Sequence, residues 1–375
     1  MIVNPTDEQE FFRETTARFL AERTPVAALR QLRDDSFGFD PQYWREGANL
    51  GWTSLLAPVL GGGSLTDDGV VDLTLIAGEF GGHAAPGPLA STNLAAAALN
   101  DAESHTGILA DLVAGESIVS WCGIWFRQDG GPETSVQLQV DGNDIVLNGV
   151  ASPVEAAEPA THLLVTARGD DGLSQLLVPT DAAGVKKRPL QSVDLTRRFW
   201  RVRFENVRIS RDALVGGQGQ AARAVERQVH LGFIIASAEM VGAMQAAFDM
   251  TVEWAFDRYS FGRPLASYQA LKHRFADMMT WLEAGHAISD SACVAVAAGA
   301  TDAYELSSAA KAWVGQYGAD LVHDCVQIHG GIGVTFEHDL HLFVRRLTVD
   351  RSLAGTPAEH RRQVALHAEL SGVAA

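Results

Sequence analysis

The sequence predicts an α+β protein, mostly helical, with an N-terminal helical domain (residues 1–115), a middle antiparallel β domain (116–218) and a C-terminal four-helix bundle (219–375). Two patterns predict this class. Apolar residues recur at helical spacing near both ends of the chain, whereas short segments rich in β-branched residues fill the middle. With 375 residues, the chain is long enough to form two or three packed regions.

The N-terminal region begins with an amphipathic helix over Thr6 to about Arg23. Thr6 opens the sequence T-D-E-Q, which has the spacing of a capping box. The predicted apolar face of this helix contains Phe11, Phe12, Thr15, Phe19 and Leu20. A second helix starts at Pro41 and ends at Gly51, because proline suits the first helical position and glycine the end. A third helix spans about Val70 to Gly81.

The middle region consists of short predicted strands separated by Gly, Asp, Asn and Pro. They include VQLQV, DIVLNGVAS, HLLVTAR, LSQLLVPT and WRVRFENVRI. The sequence D-G-N-D, between VQLQV and IVLNG, is typical of a hairpin turn. Short strands joined by such turns favour an antiparallel sheet.

Long helices return from about Gly219. The segments AARAVERQVHLGFIIASAEMVGAMQAAFDMTVEWAFDR and SYQALKHRFADMMTWLEAGHAISDSACVAVAAGA each predict one long, largely apolar helix. ELSSAAKAWVGQYGADLVHDCVQIHG predicts a third, and a shorter helix follows. Four antiparallel helices of this length are typical of a bundle.

The net charge of −17 argues against nucleic acid and anionic membranes as partners. An anionic substrate would then need a local basic patch. The candidates for such a patch are Arg197, Arg198, Arg201 and Arg203, or the pair Arg345 and Arg346. The alternative for either group is ordinary solvated surface charge.

Cysteine usage and the N-terminus predict a cytoplasmic protein. Cys122, Cys293 and Cys325 are far apart and lack C-x-x-C spacing, so neither a zinc site nor a disulfide framework is expected. The N-terminus lacks a basic region followed by an apolar one, so no signal peptide is predicted. No apolar run is expected to span a bilayer.

Several motifs resemble the acyl-CoA dehydrogenase family, over essentially the whole chain. GWTSLLAPVLGGG resembles a family turn near the N-terminus, and RYSFGRPLASYQALKHRFADM resembles the stretch R-x-x-F-G-x-P-x-x-x-x-Q-x-x-x-H-x-x-A-D-M. The resemblance implies FAD and an acyl-CoA held between the β domain and the bundle. It also implies that Arg258 and Phe261 reach the FAD of a neighbouring subunit. Taken alone, the two residues would favour a salt-bridged arginine and a core phenylalanine; within this stretch, the role at the cofactor is favoured.

A second motif, QIHGGIGVTFEHDLH, resembles the family loop Q-x-x-G-G-x-G after a bundle helix. The resemblance implies that Gln327, Gly330, Gly331 and Gly333 contact the adenosine end of the FAD. Glycines there permit a close backbone approach. They also suit a helix C-cap, and the two roles are compatible.

The resemblance implies a reaction in which a glutamate takes the α proton of an acyl thioester and the flavin takes the β hydride. In most members the glutamate precedes Gly-Thr, where this chain has Ala354 in R-S-L-A-G-T. The other family position of the base corresponds to Gly232. Neither residue can accept a proton. Glu239, seven residues after Gly232 on the same helix, is a candidate relocated base or a buried structural carboxylate; Glu226 and His230 are weaker candidates.

Two motifs that contact the flavin ring in the family are also altered. WCGIWFRQDGG stands in place of T-E-P-x-x-G-S-D, and VASPVEAAEP stands in place of W-I/V-T/S-N. The motifs that serve a neighbour's cofactor are kept. EHDLHLFVRR resembles the non-catalytic chain type of actinobacterial α₂β₂ acyl-CoA dehydrogenases of steroid breakdown.

Three functions follow as hypotheses. The first is a subunit of an FAD-dependent acyl-CoA dehydrogenase that acts on a bulky, steroid-derived acyl-CoA, with a homologous partner subunit that supplies the base. The second is a self-sufficient homo-oligomer with Glu239 as base. The third is a non-redox binding protein on the same fold. Both enzymes would pass electrons to an acceptor flavoprotein, and no metal is expected in any case.

Overall fold

The computed structural model describes residues 4–58, 68–123, 125–126 and 132–370. The chain forms two compact units, and each combines segments that are distant in sequence. One unit contains Met1–Arg30, Thr74–Ala85 and Phe233–Ala375; the other contains Gln31–Leu73 and Pro86–Gly232. The domains predicted from the sequence are continuous, and their boundaries after residues 115 and 218 stay predictions.

The helical, β, helical order along the chain is confirmed. The described α-helices are α1 (Asp7–Arg23), α2 (Pro41–Leu50), α3 (Gly69–Gly82), α4 (Leu89–Asp101), α5 (Thr106–Val113), α6 (Ala222–Asp257), α7 (Gln269–Ala297), α8 (Ala303–His329), α9 (Leu340–Ser352) and α10 (Pro357–Leu370). The described strands are β1 (Val119–Cys122), β2 (Trp125–Phe126), β3 (Pro132–Glu133), β4 (Gln137–Asp141), β5 (Asp144–Glu155), β6 (His162–Gly169), β7 (Gly172–Pro179), β8 (Val185–Leu190), β9 (Phe199–Ser210), β10 (Leu214–Val215), β11 (Tyr259–Ser260) and β12 (Arg263–Pro264).

Local signals place the first helices correctly. The Thr6 hydroxyl accepts from the Gln9 N–H, and the Gln9 side chain accepts from the Thr6 N–H, which completes the capping box. The predicted apolar face of α1 is wrong in one member, because Phe11 is 67% exposed while Phe12 is buried. Part of the motif GWTSLLAPVLGGG, residues 59–63, lies outside the described residues.

The main sheet has the strand order β10-β7-β6-β4-β5-β9-β8, and β1 pairs with β6. The predicted D-G-N-D hairpin is confirmed, since Asp141 pairs with Asp144 across the turn. The antiparallel prediction holds for most pairs, but β1 and β4 both run parallel to β6. Along β9, buried Val202 and Phe204 alternate with exposed side chains, so one face of this strand is solvated.

The C-terminal helices pack around α8, which contacts α7, α9 and α10. Helix α6 has 36 residues and is long and apolar enough to cross a membrane by length and composition. The expectation that no apolar segment reaches this length is therefore wrong for α6. However, 72% of its most apolar stretch is buried inside the protein, as in a core helix. The three cysteines are buried, and none of them forms a disulfide.

Candidate functional site

The connection between α6 and α7 presents an exposed aromatic side chain. Strands β11 and β12 form a two-residue hairpin whose turn residues, Phe261 and Gly262, have φ values of 51° and 81°. Phe261 is 97% exposed. A left-handed backbone is costly for a bulky L-residue, and such strain is typical of functional positions.

The base of this hairpin is held firmly. The Tyr268 hydroxyl donates to the Ser260 carbonyl at 2.6 Å, and the Arg263 guanidinium lies 3.9 Å from the centroid of the Tyr268 ring. The Leu265 N–H donates to the Arg258 carbonyl at 2.8 Å. These contacts fix the base of the hairpin, and the Phe261 side chain at its tip projects into solvent.

An aromatic stack joins the end of α6 to the end of α8. The exposed Arg258 guanidinium lies 5.9 Å from the Trp254 ring centroid. Trp254 stacks on His329, with centroids 5.3 Å apart and 16° between the planes, and His329 meets His338 edge to face at 4.7 Å. This stack brings the segment with Arg258 and Phe261 beside the loop after α8.

His329 is a neutral part of this stack. Its Nδ1–H donates to the Cys325 carbonyl at 2.8 Å, so Nε2 carries the lone pair. The pKa of His329 is lowered, mainly because burial disfavours the charged imidazolium. Positive charge at this end of the unit therefore comes from the arginines and not from His329.

The loop after α8 separates the predicted glycines into two kinds. Gln327, Gly330 and Gly331 are exposed, and a Cβ at either glycine would meet no atom within 4 Å. A Cβ at Gly333 would lie 2.8 Å from the His329 side chain and the Val326 carbonyl. The first two glycines leave the backbone open to a ligand, whereas Gly333 is required by packing within the loop.

Ala354 lies in the turn between α9 and α10, with a φ of 63°. The buried Lys311 ammonium donates to the carbonyls of Asp350 at 2.6 Å and Gly355 at 3.4 Å. The His360 Nε2–H donates to the Ala354 carbonyl at 3.0 Å. The turn is thus held from two sides, but the side chain at its centre is a methyl group.

Glu239 is 4% exposed and lies beside a buried cation. Its Oε2 is 3.9 Å from Nη1 of Arg346, and Nη2 of the same guanidinium donates to the Ala85 carbonyl at 2.7 Å. This geometry suits a structural carboxylate. Glu226 is exposed, and burial lowers the pKa of the half-buried His230. A Cβ at Gly232 would meet only Leu94, at 3.8 Å, and the residue has no side chain for chemistry.

The described parts of the two altered flavin-ring segments are engaged within their own unit. The Trp121 indole N–H donates to Gln228 at 2.9 Å, and Gln228 forms a reciprocal amide pair with Gln175. Glu155 forms an ion pair with Arg197 at 2.5 Å, and both side chains are nearly buried. Most of WCGIWFRQDGG beyond Gly123 lies outside the residues whose side chains are described.

The basic patch expected from the sequence exists only in part. Arg198 donates to the carbonyls of Leu195 and Asp35, and Arg345 donates to His341. Arg197 is paired with Glu155, and Arg346 donates to the Ala85 carbonyl. Of the predicted arginines, Arg201 and Arg203 are the exposed ones. Lys186 and Arg188, which are not among the predicted residues, lie opposite them on β8. The signal was present in V-K-K-R-P-L, where Lys186 and Arg188 are two residues apart and therefore share one face of a strand.

The residues exposed at the α6–α7 hairpin and in the loop after α8 are suited to contact a dinucleotide that lies outside this chain. A guanidinium can clamp phosphate oxygens, an exposed phenyl ring can pack on a flat ring, and bare glycine backbone can approach closely. Arg258, Phe261 and the pair Gly330 and Gly331 offer these three features on one compact unit.

Two family models match the chain. The acyl-CoA dehydrogenase N-terminal domain matches residues 6–115 and the acyl-CoA dehydrogenase C-terminal domain matches residues 220–368, which together make up more than two thirds of the sequence. With the observed fold, they define an oxidoreductase of the class that acts on CH–CH bonds and generally uses FAD. The chain belongs to the acyl-CoA dehydrogenase family.

Known proteins are similar over nearly the whole length. Acyl-CoA dehydrogenase IpdE2 of Mycobacterium tuberculosis is 29% identical and covers 96% of this chain and 98% of its own. A solved structure of the Tcur3481-Tcur3483 steroid ACAD, in a variant form, has a TM-score of 0.87, is 26% identical and covers 98% of this chain and 99% of its own. The ChsE4-ChsE5 complex from Mycobacterium tuberculosis has the same fold, with a TM-score of 0.87 at 24% identity over 99% of both chains.

Proposed function

We propose that this chain is the non-catalytic subunit of a heteromeric, FAD-dependent acyl-CoA dehydrogenase. A homologous partner chain supplies the glutamate base, and this chain contributes contacts to the partner's FAD in trans. The observation that carries the proposal is the α9–α10 turn. Lys311 and His360 hold it in place, yet Ala354 puts a methyl group where most family members have the base.

The trans contacts come from the exposed residues at the α6–α7 hairpin and in the loop after α8. Arg258 binds phosphate oxygens, Phe261 packs on a ring of the cofactor, and Gln327, Gly330 and Gly331 meet it through the loop after α8. Gly333 acts indirectly, because it allows the loop to pack against His329. When bound, FAD supplies the acceptor for the hydride that leaves the β carbon of the acyl-CoA.

Two segments of the β domain also support the proposal that this chain contributes to the partner's FAD site. Trp121 and Glu155 lie in segments that contact the flavin ring in other members, and here both are paired inside their own unit. The indole N–H of Trp121 already donates to Gln228, and the Glu155 carboxylate can only accept. Neither side chain therefore has a hydrogen-bond donor left for a flavin ring. This chain therefore completes a neighbour's FAD site more readily than one of its own.

Similarity to the steroid ACAD structure, which contains two chain types, supports a bulky, steroid-derived acyl-CoA as substrate and an α₂β₂ assembly. The ChsE4-ChsE5 complex supports pairing of unlike chains of the same fold. Electrons from the dehydrogenation must leave the flavin, and we assign them to an acceptor flavoprotein. A self-sufficient enzyme with Glu239 as base is disfavoured, since that carboxylate lies beside Arg346.

The test is the visible absorption spectrum of the purified chain, alone and after co-expression with homologues encoded beside it. We expect a colourless chain alone and flavin bands in the co-purified complex. Flavin at full occupancy in the chain alone, with acyl-CoA turnover, would contradict the proposal and favour the self-sufficient enzyme. A co-purified complex that contains no flavin would favour the non-redox binding protein.

Matched variants locate the trans contact. Arg258→Gln should lower the flavin content of the complex, because it removes the phosphate clamp. Arg274→Gln is the control, since Arg274 is an exposed arginine of the same unit that is paired with Asp324 at 2.6 Å. Equal flavin content in both variants would exclude Arg258 from the site.

A further inference from the structure

The ribbon formed by β8 and β9 carries a concentration of positive charge on one face. In the register of the two strands, Lys186 lies directly opposite Arg203, and Arg188 lies directly opposite Arg201. Residues opposite each other in an antiparallel pair, and residues two apart on a strand, share a face. These four residues, called the basic face below, therefore point to the same side, and all four are exposed.

One carboxylate lies among the four cations. Glu205 forms ion pairs with Lys186 and, at 3.4 Å, with Arg203. The pKa of Glu205 is lowered, first by the hydrogen bond from Lys186. Among the described residues, no ion pair of Arg188 or Arg201 is recorded. The basic face thus keeps a positive balance on a chain whose net charge is −17.

Protection of a sheet edge explains only half of this pattern. β8 is the edge strand, and lysine and proline on an edge strand discourage pairing with other chains. Arg201 and Arg203 lie on β9, which already pairs with β5 on one side and β8 on the other. Like charges directly opposite each other destabilise a sheet, so Arg188 facing Arg201 is unfavourable for folding alone.

The four residues of the basic face lie on an exposed face of the sheet. The two described cavities, of about 330 and 200 Å³, have none of the four residues in their walls. Long, exposed cations on a flat surface hold a small anion weakly, but they suit a broad surface of opposite charge. Charge complementarity therefore favours a macromolecular partner. Because the net charge of −17 disfavours nucleic acid and anionic membranes, an acidic protein surface is the partner that fits best.

We infer that the basic face is a docking surface for an acidic surface of a partner protein. Its four cations steer the partner and set the orientation of the encounter, while Glu205 limits promiscuous binding of anions. The interaction is expected to weaken steeply with ionic strength, because exposed charge pairs are screened by salt.

The test uses the full chain and a fluorescein-labelled oligoglutamate peptide as the probe of an acidic protein surface, read by anisotropy at low and at physiological salt. We expect binding at low salt that weakens as salt is added. The double variant Arg188→Gln/Arg201→Gln should weaken binding roughly tenfold. Arg208→Gln is the matched control, since Arg208 is an exposed arginine of the same strand already paired with Asp141 at 2.6 Å, and it should change binding less than about twofold.

Five outcomes would overturn the inference. The first four are no binding of the peptide at low salt, equal loss in the double variant and the control, tighter binding of single-stranded DNA, and tighter binding of phosphatidylglycerol vesicles. Light scattering of both variants is measured in parallel. A double variant that aggregates but binds the peptide normally would assign the charges to edge protection and also refute the docking surface.

Discussion

Ala354 is held in a left-handed conformation by neighbours that are distant in sequence. Lys311 and His360 are 43 residues before it and six residues after it, and both bind carbonyls of its turn. A left-handed alanine costs about 1–2 kcal/mol relative to ordinary backbone, so the surrounding contacts must impose the conformation. The conformation of this turn depends on contacts to its backbone carbonyls, so it does not require a particular side chain at position 354.

Glu239→Gln tests the relocated base at the residue scale. Because Glu239 lies beside Arg346, we expect the variant to lose roughly 1–3 kcal/mol of stability and to keep its activity in the assembled enzyme. Denaturant unfolding and turnover are measured together, with the exposed Glu226→Gln as control. A folded Glu239→Gln variant that keeps FAD but loses all turnover would identify Glu239 as the base.

Lys311 makes stability depend on pH. Burial lowers its pKa to about 7, well below the ordinary value of 10.5. Between these values the unfolded chain binds more protons than the folded chain, so the free energy of unfolding gains a contribution that rises with pH from about 7 to 10. The slope approaches about 1.4 kcal/mol per pH unit for one proton.

The measurement is denaturant unfolding across this pH range for the native chain and for Lys311→Met. The variant should lack the rise, whereas Lys272→Met, at an exposed position, should keep it. A rise that persists unchanged in Lys311→Met would show that another group titrates in this window.

At the scale of elements, the β11–β12 hairpin combines a rigid base with a strained, exposed tip. Tyr268 and Arg263 fix the base, and Phe261 at φ 51° forms the tip. The burial of Phe261 contributes nothing to the stability of the isolated chain, because the side chain is 97% exposed. The contacts at the base of the hairpin must therefore hold the strained tip in the isolated chain, and the trans contact proposed above would add the burial that Phe261 lacks.

Phe261→Gly separates the two effects. Relief of the left-handed strain should leave stability equal or higher by about 0–1 kcal/mol, while the flavin content of the complex falls. Phe256→Ala is the control, since Phe256 is 65% exposed but lies within α6. Unfolding midpoints and flavin absorbance of each co-purified complex are compared, and unchanged flavin content in Phe261→Gly would remove the trans contact.

At the scale of the whole molecule, the proposed function sets a stoichiometry. If this chain completes the partner's site and lacks its own, the purified assembly should hold one FAD for each pair of unlike chains. Light scattering with on-line absorbance gives chain composition and flavin content in one run. One FAD on every chain would show that this chain binds a cofactor of its own, despite the engaged Trp121 and Glu155.

Individual helices and the family were predictable from the sequence because their signals are local. Thr6, Pro41 and Gly51 mark helix ends through the chemistry of a few neighbouring residues, and the structure confirms them. Phe11 was assigned to the wrong face, since helical spacing alone does not say which side of α1 the protein covers.

The candidate site was predictable only as a set of residue types. The sequence indicated Arg258, Phe261 and the glycines after Gln327, but their proximity depends on the stack of Trp254 on His329, which joins two separate helices. It also treated Gly333 like Gly330, whereas the packing of the loop separates them. The parallel pairing of β1 was likewise hidden, because its partner strand lies about 40 residues further along the chain.

The sequence by itself determined the family, the order of helices and strands, and the presence of Ala354 and Gly232 at the positions where the resemblance implies the base, because each of these depends on residue identity and spacing. Only the tertiary structure decided which charged groups are available. Arg197, Arg198, Arg346 and Glu239 are engaged by partners from distant segments, whereas Arg188 and Arg201 face solvent together. Availability depends on what packs against a side chain, and that is a property of the folded chain.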